Sequence, residues 1–245
     1  MMHPQQVALN DATEWVGEWH PLAEQLGSAS GLLELASVSR YLRLPLVEDV
    51  ASLKRFLHRY QRQILARFEL PAIFASQRHS ERNELRELIA LDRRLAGRPL
   101  LSLFSGPSRR IGRWQLMKLR PLRDQRIVQR YLAAVERGEA DGWHTLVYGL
   151  TLAVYSLPSR QGLAGYAHQV TRGLIYTAAR ELRLSERDCR EIFDEFSNDF
   201  PAIIDRLIHE ELSREQAHQF PGPCDNDLPL IYGSKLNSNR PDESE

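Results

Sequence analysis

The longest stretch of the chain without a formal charge runs from Gly142 to Ser159 (GWHTLVYGLTLAVYSLPS), in a sequence in which 26% of residues are charged. Leu146, Val147, Leu150, Val154 and Leu157 recur at helical spacing, and Leu152, Ala153 and Tyr155 put apolar groups on the remaining faces. A helix that is apolar all round has to be buried on all sides. Pro158 lacks an amide and clashes with the preceding turn, so it is expected to end the helix. The stretch falls short of the roughly 20 residues that a membrane span needs. The pattern therefore predicts a central core helix with the rest of the chain packed around it.

The flanking segments are amphipathic. Val50, Leu53, Phe56, Leu57, Tyr60, Ile64 and Leu65 keep to i, i+3, i+4, i+7 behind Asp49, a natural N-cap. Pro71 is expected to open a new turn. Leu85, Leu88, Ile89, Asp92 and Leu95 mark a further helix, closed by Gly97 and Pro99. Ser105 and Pro107 read as the cap and first position of the next, whose apolar stripe would be Ile111, Trp114 and Met117. Asp124 to Arg137 follows, with Ile127, Val128, Tyr131, Leu132 and Val135 inward. After the central helix come Arg160 to Leu182, a short helix capped by Ser185, and Pro201 to Gln216. Near the N-terminus, Trp15 and Trp19 sit at i, i+4, and Gly27–Gly31 is a small-residue turn before an LLELA helix start.

No segment alternates with period two, and Leu100–Phe104 is an isolated strand candidate. The expected fold is all-α: a single-domain helical bundle of about nine or ten helices around the buried central one. It spans residues 1–220. The Pro/Gly/Asn/Ser-rich residues 221–245, with their acidic tip, are expected to be extended or disordered.

Composition changes this picture little. A length of 245 residues allows one large domain, and no linker-like stretch divides it. The formal net charge is zero, and Cys189 and Cys224 make no disulfide framework, which fits a reducing cytoplasm. The N-terminus has no basic region followed by an apolar run, so no signal peptide is expected. Locally, charge is uneven. Arg109, Arg110, Arg113, Lys118, Arg120, Arg123, Arg126 and Arg130 form a basic stretch containing one acid, Asp124, while acids concentrate from Glu181 to Glu215. The basic stretch is either a patch for an acidic protein or a phosphate-bearing ligand, or a solvated face whose charges are met by those acids, within the fold or between subunits. Balanced overall charge and the lack of a helix-turn-helix signature argue against nucleic acid.

Chemistry is sparse. There is no phosphate-binding or dinucleotide-binding glycine motif and no nucleophile elbow. The eight histidines are scattered, with no pair at metal-ligand spacing on one helical face. No catalytic residues, metal ligands or cofactor are expected. His144 is either a polar handle facing a partner or metal, or a histidine bonded locally or to water. Tyr148 and Tyr155 are more simply core residues. An enzyme would have to gather distant groups such as His144, His168 and Tyr148 around one pocket.

Several short segments resemble, in order, those of urease accessory protein F (UreF). They are Ser30-Gly31-Leu32-Leu33-Glu34; Val47 to Leu57 followed by Leu65-Ala-Arg-Phe-Glu-Leu-Pro71; Leu85 to Leu95; Ser108-Arg-Arg-Ile-Gly-Arg113; Trp143-His144 through Val147-Tyr148-Gly149; Thr177-Ala-Ala-Arg180; and His209-Glu210 with Ser213-Arg214. Glu69 stands where an aspartate is usual, and Leu182–Glu186 replaces a P-L-G-Q segment. The resemblance implies a divergent, non-enzymatic, dimeric maturation protein of the cytoplasm. It would help to assemble the nickel centre of urease by bridging a UreD/UreH-type scaffold and a UreG-type GTPase, and would contact apo-urease, with neither membrane nor nucleic acid involved. It also implies that Ser30, Gly31, Glu34, His144, Tyr148, Gly149, Arg180, His209, Glu210 and Arg214 shape or line partner surfaces. For Gly149 the physical alternative is close approach of a neighbouring helix, since glycine costs a helix roughly 1 kcal/mol. The alternative function is a helical protein-binding adaptor that does not act on urease.

Overall fold

A computed structural model describes residues 43, 45–98 and 102–219, without the side chains of 102–104, 107, 177, 180, 181 and 214–219. Every regular element among the described residues is helical. The features expected before residue 43 and after Gln219 lie outside them. Met1–His209 forms one unit and Glu210–Glu245 another; the described part of the second is helical.

The first element is a continuous rod made of three parts: α1 (Val50–Tyr60), a π-helical segment (Gln61–Glu69) and α2 (Leu70–Glu81). Asp49 caps α1 in a reciprocal box, accepting from the Ser52 amide at 2.7 Å while the Ser52 hydroxyl accepts from the Asp49 amide. Pro71 does not open a turn as the sequence suggested. The preceding segment is wound with i→i+5 bonds (Leu70 N to Leu65 O), and Pro71 falls at the start of the α-helix resuming after it, where its missing N–H costs least.

Next come α3 (Leu85–Ala96), α4 (Ser102–Lys118) and α5 (Arg126–Glu136). The strand candidate at 100–104 is corrected from Ser102 onward, where the chain is already helical, and Ser105 and Pro107 therefore lie inside α4 rather than at its cap. The expected stripe of α4 is corrected in part, since Ile111 does pack against the core. Trp114 is 54% and Met117 47% exposed, while Ser108, Gly112, Gln115, Leu116 and Leu119 face inward.

The charge-free stretch forms α6 (His144–Val154), and every residue from His144 to Leu152 is buried, as its pattern requires. It packs most extensively against α2 and α4. Its end differs from expectation: the helix stops at Val154, the chain turns through Ser156 at φ +55°, and Pro158 precedes α7 (Ser159–Leu182). Proline stops the helix at a distance because it biases the residue before it away from helical geometry. α8 (Glu186–Ser197) begins with a Ser185–Asp188 capping box, and α9 spans Phe200–Gln219. α7 lies against α1, α2 and α8. No helix among the described residues is long and apolar enough to cross a membrane.

Candidate functional site

The head of α6 is where most of the motif-like residues converge. The loop leading into it is held by Asp92 of α3, which is fully buried. Its carboxylate accepts from the Asp141 amide (2.7 Å), the Gly142 amide (3.0 Å) and the Tyr131 hydroxyl (2.5 Å). Burial and the neighbouring Asp92 push the Tyr131 phenol well above its ordinary value, so it stays a donor. Arg109 pairs with the Asp141 carboxylate at 2.8 Å, and Arg113 donates to the Asp141 carbonyl. The Ser108 hydroxyl accepts from the His144 amide at 3.1 Å, satisfying a first-turn N–H that would otherwise be orphaned.

Gly112 makes this crossing possible. A Cβ there would collide with the Gly142 carbonyl oxygen and lie 2.7 Å from the His144 nitrogen, both backbone atoms. One turn and a half further on, Gly149 does the same for α2. A Cβ would strike the Ile73 carbonyl oxygen and stand 2.8 Å from Ser76 Cβ. Across that contact the Ser76 hydroxyl donates to the Leu146 carbonyl at 2.6 Å, and Gln77 Nε2 to the Leu157 carbonyl at 2.8 Å. Close helix approach is thus the geometry at Gly149.

Behind the head lies a buried cluster of polar aromatic groups. His144 is 1% exposed, and its ring lies 5.7 Å from that of Tyr166 and 6.4 Å from that of Tyr148. The Tyr148 and Tyr166 rings meet edge-on at 5.2 Å. Tyr148 donates to the Gly162 carbonyl at 3.0 Å. Neither ring nitrogen of His144 has a hydrogen-bond partner among the described residues, and burial drops its pKa to about 4, so the ring is neutral. Glu69, the last residue of the π-helical segment, accepts from the Tyr60 hydroxyl at 2.7 Å. The Tyr166 hydroxyl also favours the charged form of Glu69 but does not complete a well-formed bond to it. Burial outweighs both hydroxyls and raises Glu69 to about 7.

The expected positions fall into three groups. His144, Tyr148 and Gly149 come together here, beneath the surface rather than on it, so the head of α6 does not reach solvent. His209 and Glu210 are exposed on α9, while Arg180 on α7 and Arg214 on α9 have side chains outside the description. Ser30, Gly31 and Glu34 lie outside the described residues altogether. Periodicity placed Asp92 on its helix but could not reveal the three donors it gathers.

His144, Tyr148 and His168 are not grouped around one pocket. His168, two residues after Tyr166, points to another side of α7. It contacts the rings of Phe193 and Phe200 at 5.5 and 5.3 Å, at a groove of about 1300 Å³ lined by α7, α8 and the start of α9. Burial, then the Arg172 charge, lowers it to about 4. Among the described residues no three His, Cys, Asp or Glu side chains gather as a metal ion would require.

Fold and site together define a protein that is helical throughout its described elements, with Asp92, Ser108, Ser76 and Gln77 locking its helices and loops to one another. The UreF family model matches residues 47–196, and the chain belongs to the UreF family, a urease accessory family rather than a catalytic one. A comparison with curated proteins finds no match.

Proposed function

We propose that this chain is a urease maturation protein that works by binding other proteins. It bridges a UreD/UreH-type scaffold and a UreG-type GTPase, as a homodimer in the cytoplasm, while nickel is delivered to apo-urease as cargo. The observation that carries this reading is the family match across residues 47–196, which takes in α1 through most of α8. The locked head of α6 supports it. A protein that must present surfaces of fixed shape to several partners benefits from a rigid centre, because rigidity reduces the ordering cost of association.

In this reading His144, Tyr148 and Gly149 shape partner surfaces from beneath, by fixing how α2, α4 and α7 sit on α6. Exposed His209 and Glu210 line such a surface, together with Ser30, Gly31, Glu34, Arg180 and Arg214. The test is co-expression of the full-length tagged chain with a UreD/UreH-type scaffold and a UreG-type GTPase, followed by affinity purification. Co-purification of the scaffold, and of the GTPase when the scaffold is present, is the expected result. Soluble chain that retains neither would overturn the proposal.

A second reading, an adaptor that does not act on urease, is favoured by one observation: the basic stretch Arg109–Arg130 remains largely unneutralised in the fold.

A further inference from the structure

The exposed face of α4 carries a combination that the fold does not use. Arg110, Trp114 and Lys118 recur at i, i+4, with Met117 beside them, so they share one side of the helix. Trp114 and Met117 are about half exposed, and the Lys118 ammonium sits 3.4 Å from the Trp114 ring centroid. That cation–π contact holds the indole in place over the helix. A large apolar side chain left in water, already ordered, is what an interface anchor looks like before its partner arrives.

Along the Arg109–Arg130 stretch most of the basic side chains also lack an opposite charge among the described residues. Arg109 is paired with Asp141 and Arg120 with Glu136. Arg110, Arg113, Lys118, Arg123, Arg126 and Arg130 have no ion pair among the described residues, and Asp124 is the one carboxylate in the stretch. Three acids of the acid-rich region are paired elsewhere: Glu195 with Lys54, Asp205 with Arg160 and Glu191 with Arg187.

We propose that the α4 face centred on Trp114 and Met117, with its unpaired basic surroundings, docks an acidic protein segment that carries an apolar anchor. Charge complementarity selects the partner's sign, and the Trp114–Met117 pair selects a segment with an apolar side chain among its carboxylates. A nucleic acid fits less well. Base stacking needs an open aromatic face, and Lys118 covers one face of the indole, while Met117 offers a phosphate nothing. An anionic membrane also fits less well, because one indole and one thioether bury little apolar area. The inference does not rest on the urease role, and its test uses this chain alone.

The experiment measures anisotropy of two labelled peptides with full-length protein. Both are Glu/Asp-rich and equal in charge; one has two central leucines and the other has serines there. The leucine peptide is expected to bind more tightly, both peptides to weaken as salt rises from about 50 to about 300 mM, and Arg110→Glu with Arg126→Glu to weaken both. Trp114→Ser is expected to weaken the leucine peptide about tenfold or more and leave the serine peptide unchanged. Met117→Glu reads the same face independently, and unchanged circular dichroism melts of these surface variants confirm that they fold. Equal affinity for the two peptides with no response to Trp114→Ser would overturn the proposal. So would tighter binding of a single-stranded oligonucleotide or of phosphatidylglycerol vesicles through the same residues.

Discussion

Gly112→Ala separates packing from propensity by the sign of its effect. Gly112 lies in the interior of α4, where alanine is worth about 1 kcal/mol more than glycine in helix propensity. If the position were glycine for no tertiary reason, the substitution would stabilise the protein. The structure requires the opposite. The new methyl group would collide with the Gly142 carbonyl oxygen and stand 2.7 Å from the His144 nitrogen and 2.8 Å from the Trp143 carbonyl carbon. These are backbone atoms tied down by Asp92, Arg113 and Ser108, so the methyl group cannot be accommodated by rotating a side chain. Overpacking of this kind costs about 1–3 kcal/mol, and pulling α4 away also endangers the 3.1 Å Ser108–His144 bond, worth about 1 kcal/mol. Set against the propensity gain, the net destabilisation is about 2 kcal/mol, or roughly 4–8 °C in melting temperature for a protein of this size. Gly106→Ala on the same helix is the control. A Cβ there meets nothing within 4 Å, and the substitution is expected to be neutral or stabilising by up to about 1 kcal/mol. Thermal melts followed at 222 nm measure both. A Gly112→Ala protein as stable as the Gly106→Ala protein would refute the account of the α4–α6 crossing.

Three further predictions follow the same geometry. Asp92→Ala leaves two backbone amides and the Tyr131 hydroxyl without their buried acceptor and is expected to cost about 3–5 kcal/mol in urea unfolding; a loss below 1 kcal/mol would mean the loop is held by something else. Gly149→Ala should cost about 2 kcal/mol through the same kind of backbone collision, against Ile73. The pH dependence carries two opposed contributions. Glu69, raised from 4.5 to about 7, favours the fold fully below pH 4.5, and that contribution is lost as pH rises through about 7. His144, lowered from 6.5 to about 4, contributes fully above pH 6.5 and loses it as pH falls through about 4. Each amounts to at most about 3 kcal/mol, less for Glu69, which retains some contact with solvent. In the native protein they largely cancel between pH 4.5 and 6.5. Glu69→Gln removes one of them, so its stability should rise more steeply with pH across that window, with partly buried His168 adding to the rise. Parallel stability profiles for the native and Glu69→Gln proteins would contradict the assignment.

How far the sequence could be read depended on the range of the interaction. The caps at Asp49 and Ser185 were legible because a capping box is complete within four residues. The burial of α6 was legible because a segment with no charged face has nowhere else to go. Pro71 misled, because the register change that accommodates it is a property of the whole rod and not of the proline. Trp114 and Met117 misled for a related reason. Apolar type and spacing name them as a core stripe, but α4 has to meet an incoming backbone, and that demands the small and polar residues Ser108, Gly112 and Gln115 on its inner face. His144 and Tyr148 lie together and buried, and their depth is set by Asp92 and Gly112, which lie about 30 to 50 residues earlier in the chain.

The most direct test of the functional account is genetic complementation. A urease gene cluster lacking its own UreF-family gene is expressed in a heterologous host together with this full-length chain, with nickel supplied, and urease activity and nickel content of the purified enzyme are measured. The account predicts that both rise well above the empty-vector level, and that Gly112→Ala lowers them in step with the amount of folded chain. Urease that stays nickel-free and inactive, with the native chain soluble and folded beside it, would contradict it.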